Sequence, residues 1–181
     1  MPDRVLHRLP NPVIAYVGLG SNLDRPVDHV ERAVIQLDAL PGCLVLDRSP
    51  LYWSAPMGPP DQPDFVNAVA RLQVTLEPGD LLRELLTIES DHGRVRDGSR
   101  WGPRTLDMDL LLYSDLTIDE PGLKVPHPGL TSRNFVVYPL LSIAPGLSMP
   151  GGEKLADIAA GLSLDGLGEL ENAMASEAPT S

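Results

Sequence analysis

Two carboxylates stand two residues apart in the segment TLDMDLLLY, residues 105–113, at Asp107 and Asp109. Side chains alternate across an extended chain, so these two project from one face about 6.5 Å apart, while Leu106, Met108, Leu110 and Leu112 face the other way. Like charges at that separation repel, and Asp is a poor strand former, so the arrangement calls for compensation. A hard divalent cation supplies it: Mg²⁺ is typically held by one or two carboxylates, with water and substrate phosphate oxygens completing the octahedron. An isolated Asp-x-Asp is common enough to be two solvated carboxylates, so the preceding segment decides its weight. Residues 94–104 (RVRDGSRWGPR) carry Arg94, Arg96, Arg100 and Arg104 against Asp97. Guanidinium groups delivered beside a paired-carboxylate site suit a polyphosphate whose charge moves during transfer. Salt bridges to an acidic surface are the competing use of the same arginines. Trp101 lies among them, equally suited to stack on a flat ring or to anchor the loop.

Other sequence signatures of catalysis are missing. The chain has no GxxxxGK[ST] phosphate loop, and Gly18-Leu19-Gly20 fails the GxGxxG dinucleotide pattern at its last glycine. No kinase motif set, GxSxG elbow or metal-ligand spacing among His7, His29, His92 and His127 is visible. His127 sits between two prolines, with Arg133 six residues later, and both are within sequence reach of a phosphate. The single cysteine, Cys43, excludes an internal disulfide and reads as a small buried apolar residue.

Elements must position these groups. Residues 13–17 read as a buried strand leaving through Gly18 to Asn22 into a loop, then a helix from near Pro26, capped by Ser21 or Asp24, to Pro41-Gly42. Strand pieces follow at 43–46 and 51–53, broken at Pro50, and a loop at 54–63 holds four prolines. Residues 65–76 alternate, with Val66, Ala68, Ala70, Leu72, Val74 and Leu76 toward a core and Phe65, Asn67 and Val69 on a non-core face. A second helix from Pro78 to about Asp91, stopped by Gly93, leads to the 105–113 strand. The order is an α+β, ferredoxin-like βαββαβ core, an antiparallel sheet with helices on one face. A C-terminal hairpin at 116–125 and short helices at 132–141 and 154–160 complete it. The expected division is an irregular extension at 1–12, a single domain at 13–161, and an acidic, disordered tail at 162–181.

The chain has 181 residues, enough for one domain with a real core. Lys and Arg number 14 against 25 Asp and Glu, a net charge of −11, which disfavours nucleic acid and anionic membrane as partners. No apolar run approaches the length of a membrane span and the N-terminus lacks a signal-peptide core, so a cytoplasmic protein is the expectation; a monomer is expected as well.

Four stretches, GLGSN (18–22), SAPMGPPDQPDFVNA (54–68), GRVRDGSRWGPRTLDMDLLLY (93–113) and PHPGLTSRNFVVYPL (126–140), together resemble the 6-hydroxymethyl-7,8-dihydropterin pyrophosphokinases of folate biosynthesis. The likeness spans about residues 13–160, in order, and RWGPRTLD-x-D with an upstream GR-x-R is its specific signature. The resemblance implies diphosphate transfer from ATP to the pterin hydroxymethyl group, releasing AMP, with two Mg²⁺ ions on Asp107 and Asp109 and with Arg94 and Arg104 on the moving diphosphate. It implies ATP contacts at Glu89, Arg96, Arg100, Trp101, Leu110, Leu123, Lys124, His127 and Arg133. The pterin would lie between Phe65 and Phe135, with Trp101 available to stack and with Asn67, Ser54, Ala55 and Met57 reading its polar edge. Asp97, Pro128 and Leu86 depart from the family pattern, each removing a nucleotide contact. Rival readings are a nucleotidyltransferase, disfavoured because about 85 residues separate Ser21 from Asp107, and a non-catalytic binding module on the same scaffold.

Overall fold

The computed structural model describes residues 11–94 and 104–170. Its strands are β1 (Val13–Ser21), β2 (Cys43–Arg48), β3 (Tyr52–Ser54), β4 (Phe65–Val74), β5 (Asp107–Tyr113), β6 (Ile118–Glu120), β7 (Leu123–Val125) and β8 (Leu167–Glu169). Its helices are α1 (Pro26–Ala39), α2 (Pro78–Asp91), α3 (Asn134–Ile143) and α4 (Leu155–Ala160). The main sheet runs β5-β1-β4-β3-β8, every pairing antiparallel, with β2 beside β3 on the same edge of β4. This is the ferredoxin-like order, with the second strand broken in two. Pro50 forces the break, and the Ser49 hydroxyl patches it by accepting from the Val69 amide at 2.9 Å.

One face of the sheet carries Ala15, Val17, Leu19, Ala68, Ala70 and Leu72, covered by Val30, Ala33 and Leu37 of α1 and Leu81, Leu85 and Ile88 of α2. Leu37, Leu72, Leu81 and Leu85 are wholly buried, each contributing about 2 kcal/mol of transfer free energy. The face expected to lie outside the core is a second core. Tyr16, Val69, Leu111 and Leu112 pack there under Val136, Val137 and Leu140 of α3 and Leu155 of α4. Helices therefore cover both faces rather than one. Cys43 packs partly buried against the first cluster, where burial and Asp38 push its thiol up to about 11.

Four local expectations are revised. Strand β1 does not end at Val17 but continues through Ser21, because Gly18 to Ser21 remain laddered to β4. Neither Ser21 nor Asp24 caps α1. The helix follows Arg25, and Asp24 and Arg25 make the turn with φ of 53° and 66°. The ladder with β1 shifts register between Tyr16 and Val17, which pair with Leu112 and Leu110; the extra residue, Leu111, reverses the alternation and puts Leu112 in the second core. Within 162–181, where no structure was expected, β8 pairs with β3 from Leu167 to Glu169. Residues 171–181 lie outside the described residues, as do 1–10.

Candidate active site

The second core stops short of one end of the sheet, and the gap is a cavity of about 400 Å³. Its floor follows from the register. Gly20 of β1 lies between Asn67 of β4 and Asp107 of β5, and Gly18 lies between Val69 and Asp109. Side chains at 18 and 20 would point into the space, so two glycines in the central strand leave a trough with a wall on each side. A Cβ at Gly20 would lie 3.2 Å from the Asn67 Oδ1. Space, rather than a turn, is why these positions are glycine.

One wall is aromatic and amide. Phe65 and Asn67 come from β4, Ser54, Ala55 and Met57 from the chain leaving β3, and Phe135 and Val136 from α3. Asn67 Nδ2 donates to the Ser54 hydroxyl at 2.8 Å, which fixes the amide with Oδ1 toward the trough. Ala55 N–H is already committed to the Gly166 carbonyl at 2.9 Å. A flat ring with a hydrogen-bonding edge matches such a wall.

The other wall is ionic. Arg94 donates to Asp107 Oδ1 at 2.5 Å and Arg104 to Oδ2 at 2.8 Å, so one carboxylate holds two guanidiniums. Arg94 also donates to the Leu106 carbonyl at 3.1 Å. Glu89, 2% exposed, accepts from the Met108 amide at 2.9 Å and lies 3.8 Å from Arg94, tying α2 to β5. Asp109 is treated differently. Burial, then Asp107 and Glu89, push its carboxyl up to about 7, against the opposing pull of Arg133 and Arg104. His127 Nδ1 accepts from the Gly129 amide at 3.0 Å, leaving Nε2 as the N–H that faces Asp109 at 3.6 Å. Burial and Arg133 hold the His127 pKa below its usual value, so the ring is neutral near pH 7.

The donor set fits Mg²⁺. Asp107 and Asp109 are hard oxygen ligands on one face, and a carboxyl driven to hold its proton is the group a cation would relieve. Among the described residues no three or more His, Cys, Asp or Glu form a ready-made cage. A cation here would therefore share its coordination with substrate oxygens.

Of the residues singled out in the sequence, the trough gathers Ser54, Ala55, Met57, Phe65, Asn67, Glu89, Arg94, Arg104, Asp107, Asp109, His127, Arg133 and Phe135. It does not gather three others. Leu110 is 4% exposed in the first core, Leu123 packs against that core, and Lys124 points outward 3.9 Å from Asp119. Arg96, Arg100 and Trp101 lie outside the described residues. Sequence reasoning missed Gly18 and Gly20 as the floor and Leu82 as lining. Leu82 shares a stripe with Leu86 and Glu89 at i, i+4, i+7 of α2, a signal that was available. It also missed Asn22, whose Oδ1 accepts from the Arg104 amide at 2.8 Å and whose Nδ2 donates to Gln62 and the Pro63 carbonyl at 3.0 Å each. Asn22 thus joins the proline loop to the start of the aspartate segment.

Comparison with known proteins gives concordant results. The sequence model of the family described as 7,8-dihydro-6-hydroxymethylpterin-pyrophosphokinase (HPPK) matches residues 16–145. The chain is 48% identical over 158 residues to the 2-amino-4-hydroxy-6-hydroxymethyldihydropteridine pyrophosphokinase of Pseudomonas aeruginosa, covering 87% of this chain and 97% of that one. It is 42% identical over 146 residues to the protein of the same name from Haemophilus influenzae, covering 81% and 91%. A crystal structure of wild-type Plasmodium falciparum HPPK-DHPS with SDX-DHP superposes with a TM-score of 0.67 at 13% identity, over 88% of this chain and 46% of that one. The chain thus spans under half the length of that solved protein, and the likeness is one of fold.

Proposed function

The chain belongs to the 7,8-dihydro-6-hydroxymethylpterin-pyrophosphokinase family, and on that premise we infer that the trough is where diphosphate passes from ATP to the hydroxymethyl group of the pterin. The protein is an ATP-dependent pyrophosphokinase of folate biosynthesis. Its substrates are small molecules, and no helix among the described residues is long and apolar enough to cross a membrane.

The observation that carries the residue assignment is the two-walled trough over Gly18 and Gly20. The pterin ring lies on the glycine floor between Phe65 and Phe135, where its apolar faces are matched, and Asn67, held by Ser54, pairs with its polar edge. Because Ala55 N–H is occupied, the remaining backbone recognition falls to the Ala55 carbonyl and Met57. In this reading the hydroxymethyl group extends toward β5. Its oxygen attacks the β-phosphorus and gives up its proton to solvent, the bond from that phosphorus to the α,β-bridging oxygen breaks, and AMP leaves with the electron pair.

Asp107 and Asp109 are the groups to hold two Mg²⁺ ions, which when bound neutralise phosphate charge and lower the pKa of the attacking hydroxyl. Arg94 and Arg104 then have a task that their present geometry anticipates. Both stand on Asp107, and with that carboxylate engaged by a cation the two guanidiniums would be available to the phosphates. Arg133 and the Nε2–H of His127 face the same space from the α3 side and serve as further phosphate donors. Glu89 holds Arg94 and the Met108 amide in place. Arg96, Arg100 and Trp101 are assigned to ATP on the family resemblance alone. Leu110, Leu123 and Lys124 could reach the nucleotide only along the β5 and β7 backbone or by rearrangement. No side chain among the described residues is assigned as a general base. Monomeric action in the cytoplasm completes the reading.

Incubating the protein with Mg²⁺, ATP and 6-hydroxymethyl-7,8-dihydropterin tests the reaction. AMP and the pterin diphosphate should form one to one. Release of pyrophosphate would mean nucleotidyl transfer, and release of ADP would mean single-phosphate transfer; either result overturns the assignment.

A further inference from the structure

We propose that residues 163–169 form a strap that holds the two sides of the pterin wall in register, making this segment a positioning device for the acceptor substrate. The proposal rests on the reading of the trough as a pterin site. Its basis is a set of contacts that no part of the reaction chemistry requires.

The strap crosses from one side of the wall to the other. On the α3 side, Asn134 Nδ2 donates to the carbonyls of Ser163 at 3.0 Å and Asp165 at 3.1 Å. Asn134 is the first residue of α3 and immediately precedes Phe135, one of the two ring-facing aromatics. On the sheet side, Gly166 accepts from Ala55 N–H at 2.9 Å, and β8 then pairs Leu167 with Ser54, Gly168 with Trp53 and Glu169 with Tyr52. Ser54 is the residue that orients Asn67. A span of seven residues therefore touches the neighbours of Phe135 and of Asn67 alike.

Both ends of the strap are anchored. Leu162 packs with the α3 and α4 cluster, and beyond β8 Leu170 packs against the first core while its amide donates to the Leu51 carbonyl at 2.8 Å. Gly168 lies flat over the Trp53 indole, and a Cβ there would collide with the ring. The strap also pairs the outer edge of β3, a strand of three residues that alone could not hold Ser54 and Ala55 still. Without this bracing the α3 side and the β3 side would be joined only through β4 and their own direct packing, with the outer edge of β3 unpaired. Binding the ring would then cost the entropy of bringing them together.

Two variants test the strap from opposite ends. Gly168→Val introduces a strand-forming residue that cannot seat over Trp53, and Asn134→Ala removes the donor to Ser163 and Asp165. In each, KM for the pterin should rise about tenfold while kcat and KM for ATP stay within about twofold of the unaltered chain. Hydrogen exchange at the Ala55 amide should accelerate in Gly168→Val. A pterin KM within about twofold of the unaltered chain in both variants would overturn the proposal. So would a rise matched by equal losses in kcat and ATP affinity, the mark of general loosening. AMP formation by the unaltered chain in the same assay separates the two levels: its absence sinks the pterin reading and the strap with it, whereas its presence beside an unchanged pterin KM removes the strap alone.

Discussion

The two aspartates illustrate how one residue type in one strand can be given different work by its neighbours. Asp107 is neutralised by Arg94 and Arg104, whereas the half-buried Asp109 has no guanidinium of the described residues on it at that range and, desolvated beside Asp107, rises to about 7. A proton therefore competes with any cation at Asp109 below about pH 7, so the apparent Mg²⁺ affinity should increase as pH is raised from about 6 to 8. Isothermal titration of Mg²⁺ with a non-hydrolysable ATP analogue at several pH values measures this, and a flat profile would contradict it. Replacing either residue by Ala should cut turnover by about a thousandfold or more with the fold intact by circular dichroism. Arg104→Ala should lower kcat far more than it raises the pterin KM. Gly20→Val should abolish pterin binding while suiting the strand it occupies, because the added carbons fill the trough above Asn67. The carboxylates and arginines were legible because charge and period-2 spacing announce them. The glycines were misread because glycine after an apolar run usually marks a turn, and only the paired strands reveal that side chains were left out to make room.

At the scale of elements, α1 and α2 are joined by a buried polar contact as well as by leucines. His29 Nδ1 and His92 Nδ1 lie 2.7 Å apart, and His92 Nε2 meets Gln36 Oε1 at 2.5 Å. One ring must donate and the other accept, so the pair cannot hold a proton on both facing nitrogens. Burial first, then His29 and Arg32, lower the His92 pKa below its usual 6.5, with Asp91 opposing. As pH falls through about 6.5 the unfolded chain takes up a proton that the folded chain refuses, so this contribution is complete above that pH and lost below it. Thermal melts should show Tm falling between about pH 7 and 5.5, with a shallower slope in His92→Gln; equal slopes would contradict the assignment. Long periodic elements such as α1, α2 and β4 were readable for the same reason that they are stable, a repeated apolar face. The bulge at Leu111 and the three-residue β8 were not, since a register shift leaves no mark in one strand alone and Leu-Gly-Glu carries too little pattern to name its partner.

On the scale of the whole molecule, one sheet serves two cores, and the site is the part of its second face that α3 leaves uncovered. That explains how a chain of net charge −11 can receive a polyphosphate: its field is adverse, but among the described residues Arg94, Arg104 and Arg133 converge on one cavity. The ferredoxin-like order was legible from the alternation of strand and helix patterns, whereas the two-sided burial was not. Val69 looks like a surface position until α3 and α4 are seen above it. Ligand binding should stabilise this assembly. With Mg²⁺ and an ATP analogue at 100 times its Kd, mass action adds about 2.7 kcal/mol, a Tm rise of about 5–11 °C for a chain of this size, and Asp107→Ala should abolish the Mg²⁺-dependent part. The most direct test is a crystal structure with the ATP analogue, Mg²⁺ and the pterin together. The ring is expected on the floor of Gly18 and Gly20 between Phe65 and Phe135, with cations bound to Asp107 and Asp109 and with Arg94 and Arg104 turned from Asp107 to the phosphates. Cations bound elsewhere, or a triphosphate docked away from β5, would contradict it.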